Sequence, residues 1–236
     1  MRIDIATLFP DMCETVLNES IVGRARKAEK IELHCHQIRD YSNDKHRRVD
    51  DTPYGGGMGM VMQAEPIYRC YLAVAEQMGA KPHVIYMSPK GATFTQQRAI
   101  ELSKMDNILI ICGHYEGVDQ RVIDKIVDEE ISIGDYVLTG GELPALVVTD
   151  AIARMCDGVL SSEECFTEES HFSGLLEYPH YTRPEVWEGA SVPPVLLTGH
   201  HKNIAQFRHN EAVKITKERR PDMYKKFEEN ANMNTK

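Results

Sequence analysis

Three stretches of the chain carry residues whose types and spacing suit ligand binding. Ser132–Pro144 reads Ser-Ile-Gly-Asp-Tyr-Val-Leu-Thr-Gly-Gly-Glu-Leu-Pro, with Gly134, Gly140 and Gly141 punctuating a short apolar run. Glycine lets backbone approach a neighbour closely and adopt a positive φ. Two other loops have the same setting. Ser88-Pro89-Lys90-Gly91 follows the apolar run His83–Met87, and Gly113-His114-Tyr115-Glu116-Gly117 follows Asn107–Cys112. Loops placed after an apolar strand and before a helical pattern are what an α/β sheet offers a ligand at its carboxyl edge. Taken alone, Ser132–Pro144 also reads as a glycine-rich turn between a strand and a helix.

A fourth stretch, Asp40–Met62, is too long and polar for a minimal connection. Its Lys45-His46-Arg47-Arg48 run suits an anion such as phosphate, and Gly55-Gly56-Gly57-Met58-Gly59 suits a hinge or close approach to a planar ligand. A surface loop without order fits the composition equally. Gly55, Gly57 and Gly59 match a GxGxG pattern, but the residues before them are charged and include Pro53, so a dinucleotide fingerprint is excluded by context. No GxxxxGK[ST] run occurs. His34-Cys35-His36 invites a metal reading. Adjacent strand residues point to opposite faces, so the three cannot converge on one ion, and no metal ligands are assigned.

The elements that must position these loops alternate between strand and helix. Met1–Phe9, Ile31–Ile38, His83–Met87, Asn107–Cys112 and Glu129–Ile133 read as strands. A helix starting at Pro10 carries Met12, Val16 and Leu17 on one face, and Glu65–Met78 buries Ile67, Cys70, Tyr71 and Val74. Gln96–Ser103, capped by Thr95, and Gln120–Val127 are helical. Glu142–Met155 reads as a buried helix with Pro144 in its first turn. The fold class is therefore α/β, a mainly parallel sheet with helices on both faces. After Met155 the chain turns acidic and polar over Asp157–Phe172. It then runs through the aromatic, proline-rich Gly174–Pro184 and Val192–Leu197 to helices at Lys202–Lys217 and Asp222–Glu229, split by Pro221. This predicts a body at 1–160, a flexible linker at 161–175 and a small helical domain at 176–236.

The chain's 236 residues, 42% apolar and 27% charged, suit a globular protein. No apolar run reaches membrane-span length and Met1–Phe9 does not read as a signal peptide, so no membrane association and a cytoplasmic location are expected. Six cysteines without a CxxC pair fit reduced thiols. The net charge of −9 counts against nucleic acid overall, yet His200–Lys236 holds six Lys and three Arg against four Glu and one Asp. A basic tail on an acidic body is either a local polyanion surface or a solvated helix face.

Four segments resemble, in order and in register, the bacterial tRNA (guanine-N1)-methyltransferases of the knotted SPOUT class. They are Asp51–Met60 (Asp-Thr-Pro-Tyr-Gly-Gly-Gly-Met-Gly-Met), Cys112–Gly117, Ser132–Pro144 and Gly174–Pro184. The resemblance spans nearly the whole chain. It implies a deep trefoil knot at the cofactor loops and an obligate homodimer with active sites shared between chains. It also implies transfer of a methyl group from S-adenosylmethionine to N1 of the guanosine 3′ of the anticodon, with Mg²⁺ used by the family.

On matching positions, the resemblance places the methyl donor against Tyr86, Ser88 and Pro89 in the first loop and Gly113, Tyr115 and Glu116 in the second. In the third it uses Ile133, Gly134, Tyr136, Leu138, Gly140, Gly141 and Pro144. His46, Asp50 and Gly59 would meet the target guanine and its phosphate. Lys202 and Arg208 would contact tRNA phosphates, and Arg183 is a further candidate. N1 of guanine must lose a proton while charge develops on O6, which asks for a base and a nearby cation. The family's arginine matches Arg154. Its linker aspartate, counted back from Gly174-Leu175-Leu176, falls on Glu169, with Glu168 as the neighbouring register. That substitution keeps open a reading as a non-enzymatic binding protein. A knotted methyltransferase of ribose or rRNA fits the linker carboxylate and the Gly174–Pro184 motif less well.

Overall fold

The computed structural model describes residues 1–162, 164–167 and 169–233. They form two compact units, Met1–Ser161 and Ser162–Lys236.

In the first unit, β1 (Arg2–Thr7) leads through Pro10 into α1 (Pro10–Leu17) and α2 (Ser20–Lys27), and β2 (Glu32–Gln37) follows. The long loop holds a short antiparallel pair, β3 (Asp50–Asp51) and β4 (Val61–Met62). Then come α3 (Ala64–Met78), β5 (His83–Thr93), α4 (Gln96–Leu102), β6 (Asn107–Cys112), α5 (Gln120–Ile126), β7 (Glu129–Ser132) and α6 (Glu142–Ala153). Among the described residues, five strands form one sheet in the order β2-β1-β6-β5-β7, with every neighbouring pair parallel.

The alternation of side chains along the strands builds two cores. Ile3, Ile5, Ile85, Met87, Ile108 and Ile110 face one side and pack with α1, α2, α4 and α6. Ala6, Val84, Tyr86, Leu109 and Ile111 face the other and pack with α3 and α5. A central strand buried on both faces needs this near-continuous apolar run. The same alternation separates the His34-Cys35-His36 triplet: Cys35 packs against the first core, while His36 Nε2 sits 2.6 Å from Asp4 Oδ2.

Several expectations are corrected. The strand expected to stop at Met87 runs to Thr93, because Met87 and Ala92 both align with Ile131 and the intervening residues bulge outward. Gly91 permits this, since a side chain there would run into the backbone of Glu130 and Ile131. α6 ends at Ala153 and is buried on one face only: Leu146, Val148 and Ile152 are inside, whereas Leu143 and Val147 are each 49% exposed. On α1 the inward residues are Cys13 and Leu17, and Met12 and Val16 face out. The sequence reading has no counterpart to α2; its apolar residues, Ile21, Val22 and Ala25, are too few to stand out from its Arg and Lys.

In the second unit, α7 (Glu164–Thr167) precedes a turn in which His171 N donates to Leu175 O at 2.9 Å and Glu177 N to Ser170 Oγ at 2.9 Å. A hairpin, β8 (Val186–Trp187) with β9 (Ala190–Ser191), leads on to α8 (His201–Arg219) and α9 (Pro221–Met233). Thr216 Oγ1, fully buried, donates to Ala212 O at 2.6 Å and accepts from Leu176 N at 2.8 Å, tying the segment after the turn to α8. Among the described residues, no helix is long and apolar enough to cross a membrane.

Candidate active site

The loops after β5, β6 and β7 converge at the carboxyl edge of the sheet around a cleft of about 250 Å³. Of the residues expected to hold a methyl donor, Ser88, Pro89, Gly113, Tyr115, Glu116, Ile133, Gly134, Tyr136, Leu138, Gly140, Gly141 and Pro144 line it. Tyr86 does not. It lies behind the wall, 8% exposed, with its hydroxyl 2.7 Å from where a Cβ on Gly113 would stand. Burial pushes its phenol up to about 12, so it stays neutral.

The sheet order explains why these loops meet. β7 is the edge strand beyond β5, yet α6 packs on β6 and β1. The chain from Ile133 to Gly141 must therefore cross from the edge back to the centre. It arrives against the β6 loop, where Gly141 N donates to Gly113 O at 2.9 Å and His114 and Gly140 form an isolated antiparallel bridge. Gly141 has no room for a side chain: a Cβ would sit 2.7 Å from Cys112 Cα. The wall of the cleft is consequently backbone laid on backbone.

The long loop is ordered. Asp44 Oδ1 accepts from His46 N at 2.8 Å and Asp44 Oδ2 from Arg48 Nη2 at 3.0 Å; the Arg48 guanidinium holds the Asp44 carboxyl down to about 2. His46 is exposed, and Asp50 is half-buried in β3 opposite Met62. The loop's far end docks on the β6 loop. Glu116 N donates to Met60 O at 3.0 Å, Met62 N to Gly117 O at 2.9 Å and Asp119 N to Met62 O at 2.9 Å. These bonds bring Gly59 against the Glu116 side chain.

Arg154 is the half-buried residue at the C-terminal end of α6. Glu169, also half-buried, belongs to the second unit and donates its backbone N–H to Phe166 O at 3.2 Å. Glu168 lies outside the described residues. Arg183, Lys202 and Arg208 are exposed on the second unit, and the Arg208 guanidinium lies over the Tyr178 ring at 4.8 Å. Among the described residues, no group of three His, Cys, Asp or Glu side chains is placed to hold a metal ion.

Sequence reasoning missed Thr7, His114 and Glu142. Glu142, 3% exposed at the first position of α6, accepts from Thr7 Oγ1 at 2.6 Å, and its other oxygen lies 3.4 Å from His114 Nε2. The one available signal was a glutamate at an otherwise apolar helix start, which reads equally as a favourable charge at a helix N-terminus.

A model of the family described as tRNA (Guanine-1)-methyltransferase TrmD matches residues 1–226. Three curated relatives carry the name tRNA (guanine-N(1)-)-methyltransferase. That of Ruminiclostridium cellulolyticum is 55% identical over 227 residues, 96% of this chain and 97% of the relative. That of Clostridioides difficile is 54% identical over 230 residues, 97% of this chain and 100% of the relative. That of Chloroflexus aggregans is 55% identical over 225 residues, 94% of this chain and 87% of the relative.

Proposed function

The chain belongs to the tRNA (guanine-1)-methyltransferase family, and on that premise we propose that it methylates N1 of the guanosine 3′ of the anticodon, position 37, in tRNA. The observation that carries the reading is the cleft of three strand-end loops, walled by Gly113, Gly140 and Gly141 with Ile133, Leu138 and Pro144 beside them. Backbone amides and carbonyls joined to apolar side chains suit an adenine ring and an amino-acid tail. The residues therefore fit S-adenosylmethionine, which when bound supplies an electrophilic methyl group on a sulfonium.

The chain's own residues supply the rest. Glu169 takes the N1 proton of guanine as N1 gains the methyl carbon, and Arg154 stabilises the charge that moves to O6. Glutamate in place of the family aspartate is one methylene longer, so its carboxylate is placed by a different linker path. Glu116, which lines the cleft, would attract the donor's sulfonium or hold one of its hydroxyls, and Gly59, Asp50 and His46 would receive the guanine and its phosphate. Lys202, Arg208 and Arg183 hold tRNA phosphates, which gives the basic tail its partner. The crossing from the edge of the sheet to Gly141 supports the family's trefoil knot. The exposed Met12 and Val16 of α1 and Leu143 and Val147 of α6 support the homodimer with shared active sites. The linker at 161–175 joins the body to the tRNA-binding domain. The family's Mg²⁺ has no assigned protein ligands, and the reaction is proposed to run in the cytoplasm, where tRNA is modified.

Single-turnover methyl transfer to unmodified tRNA bearing guanosine 37 tests this. Glu169→Gln and Arg154→Ala are expected to lose orders of magnitude while Glu168→Gln does not. Transfer to tRNA lacking that guanosine would sink the reading in favour of a methyltransferase with another target, and no transfer by a wild type that still binds donor and tRNA would sink it in favour of a binding protein.

A further inference from the structure

Glu142 lies outside the residues given a role above, and its surroundings are those of a clamp. It joins three chain segments that are distant in sequence. Thr7 ends β1, His114 belongs to the loop after β6, and Glu142 opens α6. Thr7 Oγ1 donates to Glu142 Oε1 at 2.6 Å and accepts from Phe9 N at 2.9 Å, and the Phe9 ring stands 5.0 Å from the His114 ring. Glu142 Oε2 faces His114 Nε2 at 3.4 Å. Gly140 fills the remaining space, since a Cβ there would collide with both His114 Nε2 and Glu142 Oε2. A polar side chain this deeply buried costs stability unless its partners are in place, so the cluster has one low-energy arrangement.

That arrangement fixes the cleft. His114 is flanked by Gly113, Tyr115 and Glu116, and Gly140 by Gly141; all line the wall. We propose that Glu142 is a positioning residue for the methyl donor: held by Thr7, it locks His114 against the Gly140–Gly141 turn and so sets the spacing of the two backbone walls between which the donor lies. The inference rests on the reading of this cleft as the S-adenosylmethionine site. Glu142 touches no reacting atom. Its loss therefore weakens donor binding and leaves the chemistry on bound donor intact, a ground-state effect seen in KM rather than kcat.

The test is calorimetric binding of S-adenosylmethionine to the full chain, paired with steady-state methyl transfer at saturating tRNA. Glu142→Gln, which keeps shape and the acceptor for Thr7 but changes the group facing His114, is expected to raise donor Kd and KM about tenfold, the scale of one buried polar contact. Its kcat stays within about twofold. Thr7→Val follows it in the same direction, and Thr7→Ser, which restores the hydroxyl, returns to wild-type affinity. This pair decides the matter if Glu142→Gln does not fold. Unchanged donor affinity in both Glu142→Gln and Thr7→Val, or a fall in kcat at unchanged Kd, overturns the proposal. Wild type that binds no donor overturns the donor site itself, a result that no variant can mimic.

Discussion

Gly59 and Glu116 meet at the rim of the cleft, where a Cβ on Gly59 would lie 2.6 Å from both Glu116 Cγ and Oε1. Gly59 also has a φ of +88°, a region that side chains disfavour by about 1–2 kcal/mol. Two constraints, one steric and one conformational, thus act on the same residue. They are separable because Gly55 has a φ of +86° and nothing within 4 Å of its Cβ position.

Gly59→Ala should push Glu116 into the cleft and cut methyl transfer by at least about tenfold, whereas Gly55→Ala, equally strained, should cost stability of about 1 kcal/mol and little activity. Transfer rates and melting temperatures measured on both variants check this. Equal losses would mean that backbone strain, and not the Glu116 contact, governs the rim.

Asp4 is fully buried on β1 and bonded to Arg2 Nε at 2.8 Å and His36 Nε2 at 2.6 Å. Burial alone would push its carboxyl up, but the hydrogen bonds from Arg2 and His36 outweigh it and hold Asp4 below the usual carboxylate range. A depressed folded-state value means that the stabilisation is present above the unfolded value, about pH 4, and is lost as pH falls through the folded one. Asp4→Asn is expected to cost about 3 kcal/mol near neutral pH, and the gap to wild type should narrow below about pH 4. Urea unfolding of both proteins across that range gives the answer; a gap constant with pH would refute the assignment.

If active sites are shared between protomers, two inactive variants should rescue each other. Arg154→Ala mixed with Glu169→Gln under subunit exchange should recover about a quarter of wild-type transfer, because half of the dimers are mixed and each carries one intact site. Val147→Glu, on the exposed face of α6, should sediment as a monomer. No recovery on mixing would place both residues of a site in one chain.

Lys202 is exposed at the start of α8. Lys202→Gln should weaken tRNA binding and lower the slope of log K against log salt by about one, with donor binding unchanged. A slope equal to wild type would remove Lys202 from the RNA surface.

The α/β class, the parallel alternation and the three glycine loops are legible in the residues alone, because apolar runs buried on both faces and glycines at strand ends are local signals. His83–Met87, Asn107–Cys112 and Ser132–Pro144 needed no partner to be read. The resemblance then carried residue roles that no local pattern holds, such as Arg154 and Glu169. Which strand lies at the edge, and hence that Ile133–Gly141 crosses back to the β6 loop, emerges only in the folded chain, since strand order is set by packing between distant segments. Folding also decides which apolar faces stay outside: Met12 with Val16, and Leu143 with Val147, share a helical period with buried neighbours, and periodicity cannot say which side meets the sheet. Thr7, His114 and Glu142 were illegible for the same reason. They are 107 and 28 positions apart in sequence, and their hydrogen-bonding partners exist only once β1, the β6 loop and α6 have been brought together.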